Sequence, residues 1–199
     1  MTVKSTIFTA ALALALIPSV AFAHTGVGDT SGFIHGFSHP VSGLDHILAM
    51  VMVGLLAYQL GGRAIWLVPT TFVLVMAMGG ALGVAGINIP FVEAGIALSV
   101  VVLGAMVAFG VKAPTAAAMG VVGLFAIFHG HAHGAEMPES VAGLAYAAGF
   151  MIATAMLHGL GIGVGFLIGR GGAQYGSGVV RASGGIAAVA GIGILTGLL

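Results

Sequence analysis

Cysteine is absent from the 199 residues. That excludes disulfides, thiolate nucleophiles and sulfur-rich zinc or iron-sulfur sites. Charge is nearly as scarce, at 5% of residues against roughly 25% in soluble domains. With a formal net charge of zero and no run of Arg or Lys, the chain offers nucleic acid nothing to bind. No Gly-x-x-x-x-Gly-Lys-Ser/Thr stretch occurs, so this chain carries no P-loop for nucleotide hydrolysis. What fills the space is apolar: 59% of residues are hydrophobic and 35 are glycine. The composition is that of an all-α integral membrane protein. Gly79 with Gly83, Gly165 with Gly169, and Gly193 with Gly197 are small-xxx-small pairs inside apolar segments. Such pairs let helix backbones approach closely in lipid, within one chain or between copies, so a homo-oligomer is open.

Residues 1–23 combine Lys4, an apolar run from Ile7 to Val20 interrupted by Pro18, and the small-residue pattern Ala21-Phe22-Ala23. This predicts a secretory signal peptide cleaved after Ala23, the alternative being an uncleaved anchor helix. The mature chain, residues 24–199, is then one transmembrane domain starting at His24, whose amine and imidazole could chelate a metal or simply begin a polar tail. Thr25 to Ser38, with Asp29 and His35, reads as an external lead-in too polar and too short to span. Six segments of spanning length follow, at about 40–60, 64–86, 91–111, 115–134, 139–168 and 179–198. Glycine, proline and polar residues punctuate them, as at Gly61-Gly62-Arg63, Gly86 to Pro90 and Lys112-Ala113-Pro114. The fifth exceeds what a bilayer needs, which predicts tilt, a kink or an extension beyond the lipid.

Threading a six-helix bundle with both mature termini in the periplasm sends Arg63, Lys112, Arg170 and Arg181 to the cytoplasm. This agrees with the positive-inside bias, and a shift by one helix would destroy the agreement. The same threading places Asp29, Asp45, Glu93, Glu136 and Glu139 in the external half.

Two stretches there carry chemistry. In His39-Pro40-Val41-Ser42-Gly43-Leu44-Asp45-His46, Pro40 suits a first helical turn. The helix is then expected to start near His39 and to carry Asp45 and His46 about one and a half turns into the membrane. His39 and His46, seven apart, would share a face, with Asp45 about 100° round from His46. Ionisable groups at that depth are costly unless paired or coordinated, which favours a metal site. The structural alternative is a capping His39 and an Asp45–His46 hydrogen-bonded pair. In the second stretch, Phe128 to Glu136, His129, His133 and Glu136 fall at i, i+4 and i+7 on one helical face. Two imidazoles and a carboxylate suit nickel, cobalt or zinc better than calcium or magnesium. His131 lies on the opposite side, a ligand only if the helix unwinds at Gly130 and Gly134. The His-Glu-x-x-His pattern of zinc proteases is missing.

Other candidates are weaker. Glu93, after Pro90, reads better as a helix-start carboxylate than as a ligand. His158, deep in the fifth segment, is either an inner station on an ion path or a histidine satisfied by a backbone carbonyl. The methionines, among them Met50, Met52, Met76, Met78, Met151 and Met156, read as gap-fillers in apolar packing rather than Cu(I) ligands.

The two stretches in this order, with a signal peptide and six spans, resemble the HupE/UreJ family of bacterial membrane proteins over essentially the whole chain. The resemblance implies a secondary permease in the inner membrane that takes up Ni2+, or Co2+, for hydrogenase or urease maturation. No permanently bound cofactor is implied; the ion is cargo. The matching motif residues are His39, Asp45 and His46 in the first stretch and His129, His133 and Glu136 in the second. The additional His131 leaves the metal preference open. Competing readings are a membrane zinc hydrolase, with Glu136 or Asp45 activating water, and a metal-binding accessory or bis-imidazole haem protein that transports nothing.

Overall fold

The computed structural model describes residues 32–137, 141–170 and 173–199. The expected signal peptide, its cleavage after Ala23, His24, Asp29 and Glu139 lie outside the described residues. Everything described is helix or short connection: α1 (Gly32–Ser42), α2 (Leu44–Leu60), α3 (Ala64–Val84), α4 (Val92–Phe109), α5 (Thr115–Ala135), α6 (Val141–Arg170) and α7 (Ala173–Leu195). The breaks fall where the backbone chemistry demands them. Gly61 and Gly62 take positive φ between α2 and α3, and Gly110 ends α4 in the left-handed conformation.

Helices α3 to α7 each contain a stretch long and apolar enough to cross a membrane. The first expected span is built differently from the sequence expectation. Helix α2 has only 17 residues, and it meets the length and composition of a span only together with α1, from which it is bent by 81°, the geometry of a broken span or a re-entrant loop. Helix therefore begins at Gly32, inside the presumed lead-in, and Pro40 sits in the last turn of α1 rather than the first turn of α2. His39 and His46 consequently belong to different helices and share no face.

Glycine makes the packing possible. A Cβ on Gly130 would lie 1.9 Å from the Met76 carbonyl oxygen, and one on Gly134 2.1 Å from that of Gly80, so α5 lies backbone to backbone on α3. Gly79 and Gly83 meet the α5 backbone from the other side of the same seam. Gly104 and Gly184 do the same between α4 and α7, and Gly54 and Gly161 between α2 and α6. Gly165 and Gly169 accommodate the ring and hydroxyl of Tyr58 rather than another backbone. The Gly193–Gly197 pair is no helix contact: Gly197 has φ 72°, and its space is open.

Helix α2 runs through the middle, burying Met50, Val53, Leu55 and Leu56 against Phe72, Met76, Leu103 and Val107. Met50, Met52 and Met76 fill that core as expected, whereas Met78 and Met156 face outward. Helix α6 is one continuous helix of 30 residues. Its surplus turns are covered by α1, whose Gly32 and Gly36 approach the Ala142 and Tyr146 carbonyls. Alternating helix directions gather Arg63, Lys112, Arg170 and Arg181 at one end, where the Arg181 Nε donates to the Ala108 carbonyl at 2.8 Å. The histidine-bearing stretches lie at the other.

Gly130→Ala should therefore destabilise the bundle by about 1–3 kcal/mol, because the seam is already closed to contact. Gly120→Ala, whose Cβ meets nothing within 4 Å, is the control. Thermal unfolding in detergent should show a lower Tm for the first and an unchanged or higher one for the second.

Candidate metal centre

The break between α1 and α2 creates the first half of the site. Gly43 is extended, at φ −100° and ψ 128°, and turns the chain into α2. A Cβ there would lie 2.6 Å from Asp45 Oδ1 and 3.2 Å from His46 Nδ1, so glycine also leaves room for that pair. Asp45 sits in the first turn of α2, where its charge suits the helix dipole. Its Oδ1 accepts from the His46 backbone N–H at 2.7 Å and from His46 Nδ1–H at 2.8 Å. Both bonds use one carboxylate oxygen. The hydrogen-bonded Asp45–His46 pair raised as the structural alternative is thus present, and it has a chemical consequence. With its proton held at Nδ1, His46 presents the Nε2 lone pair to the interior, the carboxylate–histidine arrangement that orients metal-binding imidazoles.

The second half comes from α5, which stays helical through Gly130 and Gly134. His133 Nε2 lies 2.7 Å from His46 Nε2 and, facing a lone pair, is the donor. The His133 ring also packs 4.5 Å from that of His39 and 4.1 Å from that of Phe150. His39, His133 and Glu136 each bring a ligand atom within 4.8 Å of the others. Glu136 follows the last residue of α5 and is exposed, His39 is half-buried and His133 is buried, so this trio grades from the surface inward. Ser42 steadies the His39 turn by donating to its carbonyl at 2.7 Å.

One turn deeper, His129 is fully buried, its ring 4.9 Å from that of His46. The Ser99 hydroxyl donates to the Ile96 carbonyl at 2.6 Å and accepts from His129 Nε2 at 3.0 Å. His129 Nδ1 is left with its lone pair and, among the described residues, no partner. His129, His133 and Glu136 therefore do not converge on one point as the i, i+4, i+7 spacing suggested. His133 joins His39 and Glu136, and His129 lies below His46. The result is a column of imidazoles, His39, His133, His46 and His129, with successive ring centroids 4.5, 4.7 and 4.9 Å apart.

The remaining candidates stand apart from that column. His131 is on the far side of α5, where its Nε2–H donates to the Ile87 carbonyl at 2.7 Å and pins the α3–α4 connection. His35 is exposed, 6.1 Å ring to ring from His39 and edge-on to Tyr146 at 5.5 Å. Glu93 is exposed in the first turn of α4, as a helix-start carboxylate should be. His158 is buried, its ring edge-on to Phe72. Ser99, Phe72 and Tyr146 contribute without belonging to either motif. A lone hydroxyl in an α4 otherwise apolar after Glu93 was the available signal for Ser99; the two aromatics carried none.

Imidazole nitrogens with one accessible carboxylate are a donor set that could suit a borderline divalent transition metal better than a hard cation. The family profile described as HupE / UreJ protein matches residues 12–194. The chain is 52% identical to "Protein HupE" of Rhizobium leguminosarum bv. viciae over 189 residues, 95% of this chain and 97% of that relative. No solved structure matches it.

Loss of the orienting carboxylate in Asp45→Asn should weaken Ni2+ binding about 10- to 100-fold, the usual cost of removing such a partner. His131→Gln should leave binding within about threefold, since hydrogen bonding to a carbonyl needs only a donor. Equilibrium binding of radioactive Ni2+ to the detergent-solubilised protein measures both; equal losses would contradict the separate roles.

Proposed function

This chain belongs to the HupE/UreJ family, whose members are hydrogenase and urease accessory proteins for nickel or cobalt uptake, and from that premise we propose that it is a permease for Ni2+, with Co2+ as the alternative cargo. It resides in the bacterial inner membrane, with the mature termini and the histidine column on the periplasmic side and the four basic residues in the cytoplasm. The positive-inside bias supports that orientation. The ion it delivers supplies a metalloenzyme such as hydrogenase or urease.

The observation that carries the reading is the imidazole column, opened to the surface through His39 and Glu136. A hydrated cation meets the exposed carboxylate first, and exchanges water for imidazole as it moves towards His133 and His46. Asp45 keeps the His46 lone pair facing that route. The ligands come from two packed units, His39 and His46 from the α1–α2–α6 side and His133 and His129 from the α3–α5 side. Movement of one unit against the other would open the column inward, as in transporters whose site lies between helix sets. A ring that binds metal must give up the proton on its ligating nitrogen, so protons compete with cargo.

Purified protein in liposomes should accumulate radioactive Ni2+ saturably, and His39→Ala, His133→Ala and Glu136→Gln should each lower the initial rate at least about tenfold. Uptake should also fall as the external medium is acidified, because protons compete with the cargo for the ligating nitrogens. Vesicles that bind Ni2+ without accumulating it would replace the permease by a metal-holding accessory protein.

A further inference from the structure

One turn back along α1 from His39, the chain repeats itself. His35-Gly36-Phe37-Ser38 is followed at once by His39-Pro40-Val41-Ser42, a histidine with a serine three residues on in each turn. Both serines make the same bond: the Ser38 hydroxyl donates to the His35 carbonyl at 3.1 Å and that of Ser42 to the His39 carbonyl at 2.7 Å. The second of these occupies a carbonyl in the last turn of α1, where backbone N–H partners run out. The helix thus holds its form to Ser42, and the two imidazoles stay one turn apart on one face.

Their rings are 6.1 Å apart. Tyr146 of α6 meets both of them edge-on, His35 at 5.5 Å and His39 at 6.1 Å. Tyr146 is itself buried and stacked on Phe150, and α1 is held against it where Gly36 meets the Tyr146 carbonyl. The pair therefore rests on a fixed aromatic floor. Its outer member is exposed, its inner member half-buried.

Two imidazoles at i and i+4 are the spacing at which one helix chelates one transition-metal ion. An exposed side chain changes rotamer readily, so turning His35 brings its nitrogen to an ion held on His39. Water fills the remaining positions. His39 also belongs to the trio with His133 and Glu136. It is the residue common to an outer pair and an inner trio. An ion on the pair gains a ligand when it exchanges His35 for His133 and Glu136, which favours the inward step.

We propose that His35 and His39 form a two-histidine capture site for a borderline divalent transition-metal ion at the outer mouth of the imidazole column, from which His39 passes the ion to His133 and Glu136. Its role in uptake rests on the permease reading above; its metal binding stands apart from that reading.

His35→Gln keeps a polar side chain but removes the imidazole nitrogens, whereas His35→Glu restores a metal-ligating group. In proteoliposomes, His35→Gln should raise the KM for radioactive Ni2+ uptake about fivefold or more with the maximal rate within about twofold, the pattern of lost capture rather than lost translocation. His35→Glu should stay within about twofold of wild type in both. A ring that only packs on Tyr146 would make the two variants behave alike. That result overturns the proposal, as does an unchanged KM in His35→Gln. Binding in detergent gives an independent answer. Protein carrying His133→Ala and Glu136→Gln lacks the inner trio and should retain a weak Ni2+ site, and adding His35→Gln should weaken it about tenfold. Absence of that residual site, or its indifference to His35→Gln, overturns the pair. Wild-type proteoliposomes that accumulate no Ni2+ sink the permease reading, and the detergent measurement then decides the pair alone.

Discussion

The Asp45 carboxylate on His46 Nδ1 is the contact from which the geometry of the site follows. It fixes which nitrogen of His46 carries the proton, and so which nitrogen faces the His133 ring 2.7 Å away. Through His133 the same choice reaches His39 and Glu136. Water cannot make that choice in a bilayer interior, so the protein must. Gly43 makes it possible twice over, by ending α1 and by leaving space where any side chain would strike the carboxylate.

The scaffold answers to the same constraint. Helices in lipid gain little from burying leucine against leucine, and associate instead through close backbone approach and a few hydrogen bonds. Glycine seams at α3–α5, α4–α7 and α2–α6 supply the first. The second is supplied by isolated polar side chains: Gln59 donates to the Val107 carbonyl at 3.0 Å, Ser99 bridges α4 to His129, and His131 reaches Ile87. His131 shows why a histidine beside a ligand need not be one. An imidazole with a carbonyl at 2.7 Å has one nitrogen committed to holding the α3–α4 connection against α5.

How much could be read from the linear chain depended on whether a feature was local. The spans were legible because the bilayer imposes one length on every apolar segment, and the placement of Arg63, Lys112, Arg170 and Arg181 at one end followed from counting. The two motifs were legible because ionisable residues are rare in such segments. The grouping of the ligands was not. Spacing along an ideal helix put His129, His133 and Glu136 together, but α5 ends at Ala135 and Glu136 leaves the helical face. Pro40 likewise suggested a helix start, whereas it closes α1, since a proline tolerated in a first turn is also found where a helix is about to break.

By itself, then, the sequence determined that this is an all-helical membrane protein, which residues are candidate ligands, and towards which end they lie. Those are consequences of composition, charge and period. Only the tertiary structure decided that Asp45 orients His46, that His133 joins His39 and Glu136, that Ser99 holds the buried His129, and that, among the described residues, the buried His158 has no hydrogen-bond partner. The reason is physical: an imidazole's role is set by which of its two nitrogens is engaged, and the partners of these rings lie on other helices or across the break at Gly43.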